Sequence, residues 1–320
     1  MKRVLIYEHL TGGGMAGQDL QMSWLMEGSA MRQAVVKAFQ EAGCTVSTFQ
    51  DSRLPLDIDI EATQISDPLE IQPSLWSAMR ATDHGILIAP ETGGALADLV
   101  QWTQHVPEWS LGCTLDGVRL CTDKLECSKF LKANQISHPQ SWTADHPDHP
   151  WTKSKNFIVI KPRDGAGSLE TFKTPNSFDI SHLCNTDPAQ TLIQQFHSGT
   201  SMSLSAICDG RGGVSPIGVC SHNLNPIPCG DNTWDLSEYE PANEPDFPVE
   251  LLQNCLKTLR ITPGLRGWVG VDFLWNAELE TDMVIEINPR LTSSLCWIEK
   301  DLISSKIASQ WLSIPTPQPV

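Results

Sequence analysis

Residues 283–290 read MVIEINPR, in which apolar and polar residues alternate until a proline ends the pattern. This alternation predicts a β-strand, because successive side chains of a strand point to opposite faces of the sheet. It places Glu286 and Asn288 on one face together with Val284, and Ile287 on the other. Two side chains with oxygen ligands therefore lie side by side at the end of one strand.

The residues before this strand predict its partner in a hairpin. Residues 268–275 (WVGVDFLW) read as a strand, and residues 276–281 read as the connecting loop. If the hairpin is symmetric about Leu279, Asp272 lies directly opposite Glu286. Two carboxylates ~4 Å apart repel by roughly 4 kcal/mol at an effective dielectric of ~20. A cation relieves this repulsion, and Mg²⁺ suits a site of few, carboxylate-rich ligands. The alternative is a hairpin with a solvated polar face.

The composition indicates a folded protein with two or three compact units, because the chain has 320 residues, 40% hydrophobic residues and 11 Trp. No apolar run approaches the ~20 residues that span a bilayer. The first eight residues (MKRVLIYE) are too short and too soon acidic for a signal peptide. We therefore expect a soluble, cytoplasmic protein with no membrane partner.

The charge and the cysteines exclude two further classes of protein. A formal net charge of −16 repels nucleic-acid phosphates, and no Lys/Arg block offsets it, so we expect no nucleic-acid partner. The 10 Cys include no C-x-x-C pair and no zinc spacing. They are interpreted as reduced, mostly buried thiols.

The N-terminal region carries a glycine-rich turn. Residues 4–7 predict a buried strand, and Gly12, Gly14 and Gly17 fit the pattern G-x-G-x-x-G. The dinucleotide fingerprint also requires a helix that starts at the glycines and an acid ~20 residues later. The sequence predicts neither at the required place. A loop that faces a small ligand, or a tight turn, is the preferred interpretation.

The first 110 residues predict a parallel, doubly wound sheet, because strands and helices alternate along them. The predicted strands are residues 4–7, 45–49 and 85–89, and the predicted helices are residues 27–42, 75–81 and a segment after residue 94. Residues 55–73 read as a loop. Ligands of such a sheet lie beyond the carboxyl ends of its strands, which here means residues 8–14 and 90–94.

Two lysines of the next region are candidates for binding an anion. Thr122 is predicted to cap a helix that begins near Lys124. Because a cation in the first turn opposes the helix dipole, Lys124 indicates either a bound anion or a solvated surface lysine. Residues 157–162 predict a strand that carries Lys161 and runs into RDGAGS at 163–168. A lysine followed by a Gly/Ser loop offers a point charge and backbone N–H groups to phosphates.

Two further segments complete the pattern. Residues 191–196 (TLIQQF) predict a buried strand. Residues 222–248 show no periodicity and are rich in Pro, Asn and Asp. A loop of that length in a compact domain is usually a functional cover.

Together these motifs, in this order and spacing over roughly residues 110–300, resemble the ATP-grasp superfamily. They are Asp123-Lys124, IKP at 160–162 with DGAGS at 164–168, LIQQF at 192–196, Asp272 and EINPR at 286–290. The resemblance implies an α/β and α+β fold, in which an N-terminal doubly wound (pre-ATP-grasp) domain precedes a two-lobed ATP-grasp module. It divides the chain into a Rossmann-like substrate domain (1–110), a lid subdomain (111–195) and a C-terminal catalytic subdomain (196–320).

The resemblance also implies roles for individual residues. The nucleotide-binding set is Lys124, Lys161, Asp164, Gly165, Gly167, Ser168, Gln194, Gln195 and Ser201. Asp272, Glu286 and Asn288 bind Mg²⁺, with Mn²⁺ as the other possible metal, and Arg290 and Lys161 act in catalysis. The chain departs from the superfamily on the adenine side, where Gln194 and Gln195 replace the usual carboxylate with amides. Ser201 likewise stands where a ribose-binding acid is common.

Shorter motifs resemble the tyramine–glutamate ligase group of methanofuran biosynthesis. They are Glu8 with Gly12-Gly13, Glu27-Gly28, APE at 89–91 and KPRDGAGS at 161–168. This resemblance implies an ATP-dependent carboxylate–amine ligase that forms an amide through an acyl phosphate, with a glutamate-like carboxylate and tyramine or a related amine as substrates. The acidic loops near Glu8 and Glu91 then provide a hypothesis for binding an ammonium group.

Three other interpretations stay open. The chain is a ligase for another amino-acid or peptide carboxylate, a nucleotide-binding protein that has lost catalysis, or an interaction protein whose acidic hairpin is only solvated. The sequence does not indicate the oligomeric state.

Overall fold

The computed structural model describes residues 1–56, 59–146, 157–165, 170–175, 187–230, 233–236, 239–243, 247–296 and 305–316. Within these ranges the strands are β1 (Arg3–Glu8), β2 (Thr45–Asp51), β3 (Glu61–Ile65), β4 (His84–Ile88), β5 (Ser141–Thr143), β6 (Phe157–Pro162), β7 (Phe172–Pro175), β8 (Thr191–Gln195), β9 (Thr200–Asp209), β10 (Val214–Leu224), β11 (Ile227–Gly230), β12 (Thr233–Asp235), β13 (Tyr239–Asn243), β14 (Arg266–Asn276) and β15 (Thr281–Asn288). The helices are α1 (Met22–Glu41), α2 (Ile71–Ala81), α3 (Ala95–Thr103), α4 (Leu115–Thr122), α5 (Lys124–Ala133), α6 (Gln253–Ile261) and α7 (Ser305–Leu312).

The first sheet is parallel and has the order β3-β2-β1-β4. Helices cover both of its faces, because Val35 and Phe39 of α1 pack in one core with Ile6, whereas Leu75 of α2 packs in another with Leu5. The predicted doubly wound α/β arrangement is therefore confirmed. Parallel strands need such crossover helices, which explains the alternation in the sequence.

Two details of this first sheet differ from the prediction. Strand β3 lies within residues 55–73, which the sequence predicts as loop; it is an edge strand, and of its residues only Ile65 is buried. Such a strand carries no clear apolar signal. Helix α1 begins at Met22 rather than near residue 27, and no side chain caps it at Gln21. The usual capping signal for a helix start is therefore missing.

The glycine-rich turn after β1 packs against the side chains of its own loop. A Cβ at Gly14 would overlap the ring of His9, and Gly12 donates its backbone N–H to the carbonyl of Glu8 at 2.8 Å. The Tyr7 hydroxyl lies 3.2 Å from Nδ1 of His9. Gly12 and Gly14 are therefore needed because the chain makes a tight turn around the side chain of His9, which leaves no room for a Cβ.

The rest of the chain forms two further sheets. The six-stranded sheet has the order β11-β12-β7-β6-β8-β5, and the five-stranded sheet has the order β13-β10-β9-β14-β15. Residues 222–248, predicted as a loop, instead contribute the end of β10 and strands β11 to β13. Because β11 and β12 join the six-stranded sheet, the chain returns to that sheet after residue 195. The three-domain division with boundaries at 110 and 195 stays a prediction.

The hairpin of β14 and β15 places Asp272 opposite Glu286, as predicted. A bulge follows, however, and Phe273 pairs with Val284. The extra residue turns Val284 toward the same core as Ile287, so its predicted place on the face of Glu286 is wrong. The bulge therefore lets the hairpin keep its core contacts on one face while Asp272 and Glu286 share the other.

One hydrophobic core joins the first sheet to the five-stranded sheet. It contains Leu96 and Leu99 of α3, Val269 and Val271 of β14, and Ile287 of β15. Among the described helices, none has the length and apolar composition to cross a bilayer. The cysteines that the structure describes as free are buried except for Cys229, as the sequence predicts.

We call the four-stranded sheet, its helices α1 to α3 and the residues that follow up to Leu111 the first unit. Gly267 lies where β14 approaches this unit. Its φ is 70°, and a Cβ at this position would overlap the carbonyl oxygen of Leu111. The same oxygen accepts a hydrogen bond from Nε1 of Trp311 at 2.7 Å. No residue other than glycine fits this approach without moving the backbone.

We predict that Gly267→Ala lowers the melting temperature much more than Gly43→Ala. Gly43 also has a positive φ, of 79°, but a Cβ there has no neighbour within 4 Å. The control therefore isolates backbone strain, about 1–2 kcal/mol, and Gly267→Ala adds the overlap with Leu111. Thermal unfolding of both variants measures the difference, and equal losses would contradict the predicted steric contact.

We also predict that His9 makes the stability depend on pH between about 4 and 6.5. Burial lowers the pKa of His9 to about 4, so in this range the unfolded chain binds a proton that the folded chain does not. Stability therefore falls as the pH decreases from 6.5 to 4, by at most about 3 kcal/mol. The test is to measure the free energy of unfolding of wild type and His9→Gln at several pH values between 4 and 6.5. This free energy should fall less steeply with decreasing pH in the variant. Parallel curves would show that His9 does not titrate in this way.

Candidate active site

Three of the predicted site residues come from three different elements that meet between the two larger sheets. Helix α5 supplies Lys124, strand β6 of the six-stranded sheet supplies Lys161, and β15 of the five-stranded sheet supplies Glu286. A small cavity lies here, and its lining includes Lys124, Gln194 and Glu286.

The predicted metal ligands lie together on one face of the β14–β15 hairpin. Nδ2 of Asn288 donates a hydrogen bond to Oδ2 of Asp272 at 3.0 Å. Burial, and next the charge of Glu286, raise the pKa of Asp272 to about 7. The carboxylate repulsion expected from the sequence is therefore present in the fold. A bound cation would lower its cost.

Glu286 also holds the two lysines. Its Oε2 lies 3.6 Å from Nζ of Lys124 and 3.8 Å from Nζ of Lys161. Burial acts to raise the pKa of Glu286, but the two lysine charges outweigh burial and lower it. Burial lowers the pKa of Lys161, and the charge of Lys124 adds to that effect although Glu286 opposes it. Two cations thus share one carboxylate, which leaves positive charge for an anionic ligand.

Helix α5 is tied to the end of β6 by an arginine that sequence reasoning missed. Arg163 donates from Nε and Nη2 to Oδ1 and Oδ2 of Asp123 at 2.9 and 2.6 Å. Asp123, and not the predicted Thr122, caps α5, because its Oδ1 accepts from the backbone N–H groups of Leu125 and Glu126. One carboxylate therefore fixes both the start of the helix and the strand end that carries Lys161.

The structure describes part of the predicted lid loop. Gly165 accepts a hydrogen bond at its carbonyl from Nζ of Lys124 at 2.6 Å, whereas Asp164 is exposed. The remaining predicted loop residues, Gly167 and Ser168, lie outside the described residues. The start of the loop therefore lies against the lysine that Glu286 holds.

The residues predicted for the adenine side are divided between two faces of β8. Gln194 is buried, lines the cavity and donates from Nε2 to Oγ of Ser141 at 2.7 Å. Gln195 is half-buried, and strand alternation turns its side chain to the opposite face. The structure therefore brings Gln194, and not Gln195, into the cavity with Lys124 and Glu286.

A histidine that the sequence analysis did not single out lies beside the predicted Ser201. His222 of β10 has Nδ1 3.4 Å from Oγ of Ser201 and Nε2 3.2 Å from Oγ of Ser203. Ser203 pairs with Asp272 across the sheet, so this polar row continues to the predicted metal ligands. Burial lowers the pKa of His222 and favours the neutral imidazole. The residues of this row lie on β9, β10 and β14, which are far apart in the sequence. No local sequence pattern therefore predicts the row.

Arg290 reaches from the end of β15 to the first unit. Its Nε donates to Oε2 of Glu91 at 2.8 Å, and its side chain is only 13% exposed. Burial acts to lower the pKa of Arg290, but Glu91, with Glu27 and Glu286, outweighs burial and raises it. The contact with Glu91 is another feature that sequence reasoning missed, since the residues lie on different units.

The donor set fits a hard divalent cation. In the described part of the chain, no three His, Cys, Asp or Glu side chains converge on one point. Two carboxylates and one amide do lie side by side, because Asp272 pairs with Glu286 across the hairpin and Asn288 donates a hydrogen bond to Asp272. Mg²⁺ commonly binds one or two carboxylates and completes its octahedron with waters and substrate phosphates. The residues present, with two lysines alongside, suit Mg²⁺ bound together with a nucleotide.

Comparison with known proteins identifies two families of domain and several relatives. Residues 121–294 match the ATP-grasp domain family, and residues 44–118 match the pre ATP-grasp 3 domain. The chain is 24% identical over 298 residues to a tyramine–L-glutamate ligase of Methanocaldococcus fervens, which covers 91% of this chain and 88% of the relative. It is 23% identical over 297 residues to the enzyme of the same name from Methanocaldococcus jannaschii, with 91% and 83% covered.

Solved structures share the fold. An ATP-grasp superfamily protein from Archaeoglobus fulgidus matches with a TM-score of 0.67 at 20% identity, over 92% of this chain and 83% of that one. A D-alanine–D-alanine ligase from Bacillus anthracis matches with a TM-score of 0.64 at 13% identity, over 98% and 97%. The ATP-grasp match alone covers more than half of this chain. On that match, the chain belongs to the ATP-grasp family.

Proposed function

We propose that this ATP-grasp enzyme joins a carboxylate to an amine, with ATP as the source of energy and an acyl phosphate as the intermediate. The observation that carries the proposal is the convergence of Lys124 and Lys161 on Glu286, beside Asp272 and Asn288. Phosphoryl transfer depends mainly on positioning and on neutralising charge. This cluster offers both.

Each residue has a proposed task. Lys124 and Lys161 bind the ATP phosphates, and the Gly165 carbonyl accepts a hydrogen bond from Lys124 beside them. Asp272, Glu286 and Asn288 hold Mg²⁺, which when bound neutralises phosphate charge. Gln194, which lines the cavity, contacts the adenine. Arg290 stabilises the negative charge that develops on the transferring phosphoryl group.

The reaction needs no covalent protein nucleophile. An oxygen of the substrate carboxylate attacks the γ-phosphorus, and ADP leaves with the bridging oxygen. The amine nitrogen then attacks the acyl carbon of the acyl phosphate, phosphate leaves, and the nitrogen loses a proton to give the amide. The protein orients the reactants and stabilises charge in both steps.

We propose glutamate as the carboxylate and tyramine or a related amine as its partner, in the synthesis of a methanofuran-type cofactor. Support comes from the two tyramine–L-glutamate ligases that match along nearly the whole chain. A ligase for another amino-acid or peptide carboxylate is the alternative within the same chemistry.

The direct test is ADP release with Mg²⁺-ATP and glutamate, with and without tyramine, together with mass analysis of the product. The proposal expects ADP release that depends on the amine and a glutamyl amide. Stabilisation by Mg²⁺-ATP without ADP release from any carboxylate and amine would instead indicate a nucleotide-binding protein that has lost catalysis.

We predict that Glu286→Gln lowers kcat by about 100-fold or more, because it removes a metal ligand and the carboxylate that holds both lysines. The same variant should bind Mn²⁺ weakly in a titration followed by electron paramagnetic resonance. Glu278→Gln is the matched control, since Glu278 is an exposed carboxylate on the loop of the same hairpin. Wild-type metal affinity in Glu286→Gln would refute the assignment of Glu286 as a ligand.

A further inference from the structure

One buried carboxylate oxygen at the site has no partner in the described part of the chain. Glu91 follows β4 and is only 4% exposed. Its Oε2 accepts from Arg290, but its Oε1 is shielded from solvent and has no hydrogen-bond donor among the described residues. Leaving a buried acceptor oxygen unpaired costs free energy, because the oxygen loses its hydrogen bonds to water and gains none in return. An orphan of this kind at a site indicates a donor that arrives with a ligand.

The charges around Arg290 indicate that this donor is a cation. Glu91, Glu27 and Glu286 all act on Arg290. Glu286 also holds Lys124 and Lys161, so it is balanced on the nucleotide side of the site. On the other side, Glu91 is buried and contacts the guanidinium of Arg290, whereas Glu27 is exposed to solvent. The Oε1 of Glu91 is a hydrogen-bond acceptor, and an ammonium group supplies N–H donors together with a positive charge for this carboxylate.

Glu8, the other buried acid of the N-terminal loops, already has hydrogen-bond donors at both carboxylate oxygens. Glu8 is also buried, but its Oε1 accepts from the backbone N–H of Leu10 at 3.1 Å. Its Oε2 accepts from the backbone N–H and hydroxyl of Thr11 at 2.7 and 2.6 Å. A Cβ at Gly28 would lie 2.7 Å from this carboxylate, so α1 closes over it. Glu8 is therefore a structural residue of the loop, and Glu91 alone of the two offers an unpaired oxygen.

Glu91 also lies close to the reacting groups. Arg290, which it contacts, follows the metal ligand Asn288 by two residues. Thr92, the next residue, has its hydroxyl 3.9 Å from the Cβ position of Gly165 in the lid loop. A group bound at Oε1 of Glu91 is therefore held beside Arg290 and beneath the start of the lid.

We propose that Oε1 of Glu91 binds the ammonium group of the carboxylate substrate, so that the enzyme selects amino acids over carboxylates without an amino group. This inference rests on the proposed ligase function. It assigns a substrate class to the first unit, whereas the nucleotide is bound by the two larger sheets.

The test compares amino acids with their des-amino partners: glutamate with glutarate, aspartate with succinate, and alanine with propionate. Hydroxylamine replaces the amine, because it captures any acyl phosphate as a hydroxamate and makes the readout independent of the natural amine. We expect wild type to prefer the amino acid of the accepted pair. In Glu91→Gln we expect kcat/KM for that amino acid to fall roughly ten- to hundredfold, and the preference to disappear.

The comparison separates ammonium binding from the contact with Arg290. A glutamine at position 91 keeps an oxygen for Nε of Arg290 but presents an amide without negative charge. If the substitution acts by displacing Arg290, the rates fall for both members of a pair. If it acts by removing ammonium binding, the rate falls only for the amino acid. Glu41→Gln is the control, because Glu41 is an exposed carboxylate at the end of α1. It should behave as wild type.

Each outcome decides the proposal. Equal use of both members by wild type, or an equal loss for both in Glu91→Gln, would overturn it. If no carboxylate yields a hydroxamate, the ligase function fails for these substrates. Calorimetric titration of the same pairs, with Mg²⁺ and a non-hydrolysable ATP analogue, then tests the ammonium site separately. Tighter binding of an amino acid that Glu91→Gln abolishes supports the site, and no preference refutes it.

Discussion

The site depends on one carboxylate shared by two lysines. Glu286 lies within 4 Å of both Lys124 and Lys161, and these three side chains come from three separate elements. Without Glu286 the two ammonium groups would repel each other, and without the lysines burial would raise the pKa of Glu286. Each charge is therefore stable only because the others are in place, and the cluster forms only when α5 and the two larger sheets are packed together.

The fold holds this cluster through contacts that lie outside it. Asp123 caps α5 and binds Arg163 at the end of β6, so the start of the helix is tied to the six-stranded sheet near Lys124. The hydrophobic core that includes Leu99 and Val271 joins the first unit to the five-stranded sheet. Rigid support of this kind keeps the charged groups at the distances that phosphate binding requires.

The parts of the fold that the sequence predicted correctly are those set by local patterns. Strand alternation and hairpin symmetry were enough to pair Asp272 with Glu286. The bulge turns Val284, rather than the neighbouring Ile285, into the core. Because both residues are apolar, the alternation in the sequence does not reveal the bulge. Strands β3 and β11 to β13 were missed because short or polar strands lack a clear apolar period. The partner of Arg290 lies 199 residues away, and no local pattern predicts such a contact.

Arg290 lies between two parts of the site. On one side Lys124 and Lys161 lie within 4 Å of Glu286, and their ammonium groups suit the phosphates of a nucleotide. On the other side the buried carboxylate of Glu91 contacts the guanidinium of Arg290. A substrate that spans the two parts must present a negative group toward the lysines and a positive group toward the first unit. An amino acid has this distribution of charge, with its reacting carboxylate placed where Arg290 and the γ-phosphate meet. If Glu91 binds the substrate as we propose, the pre-ATP-grasp part of the chain contributes to substrate selection through charge, although none of the residues proposed to bind the nucleotide or the metal lies in it.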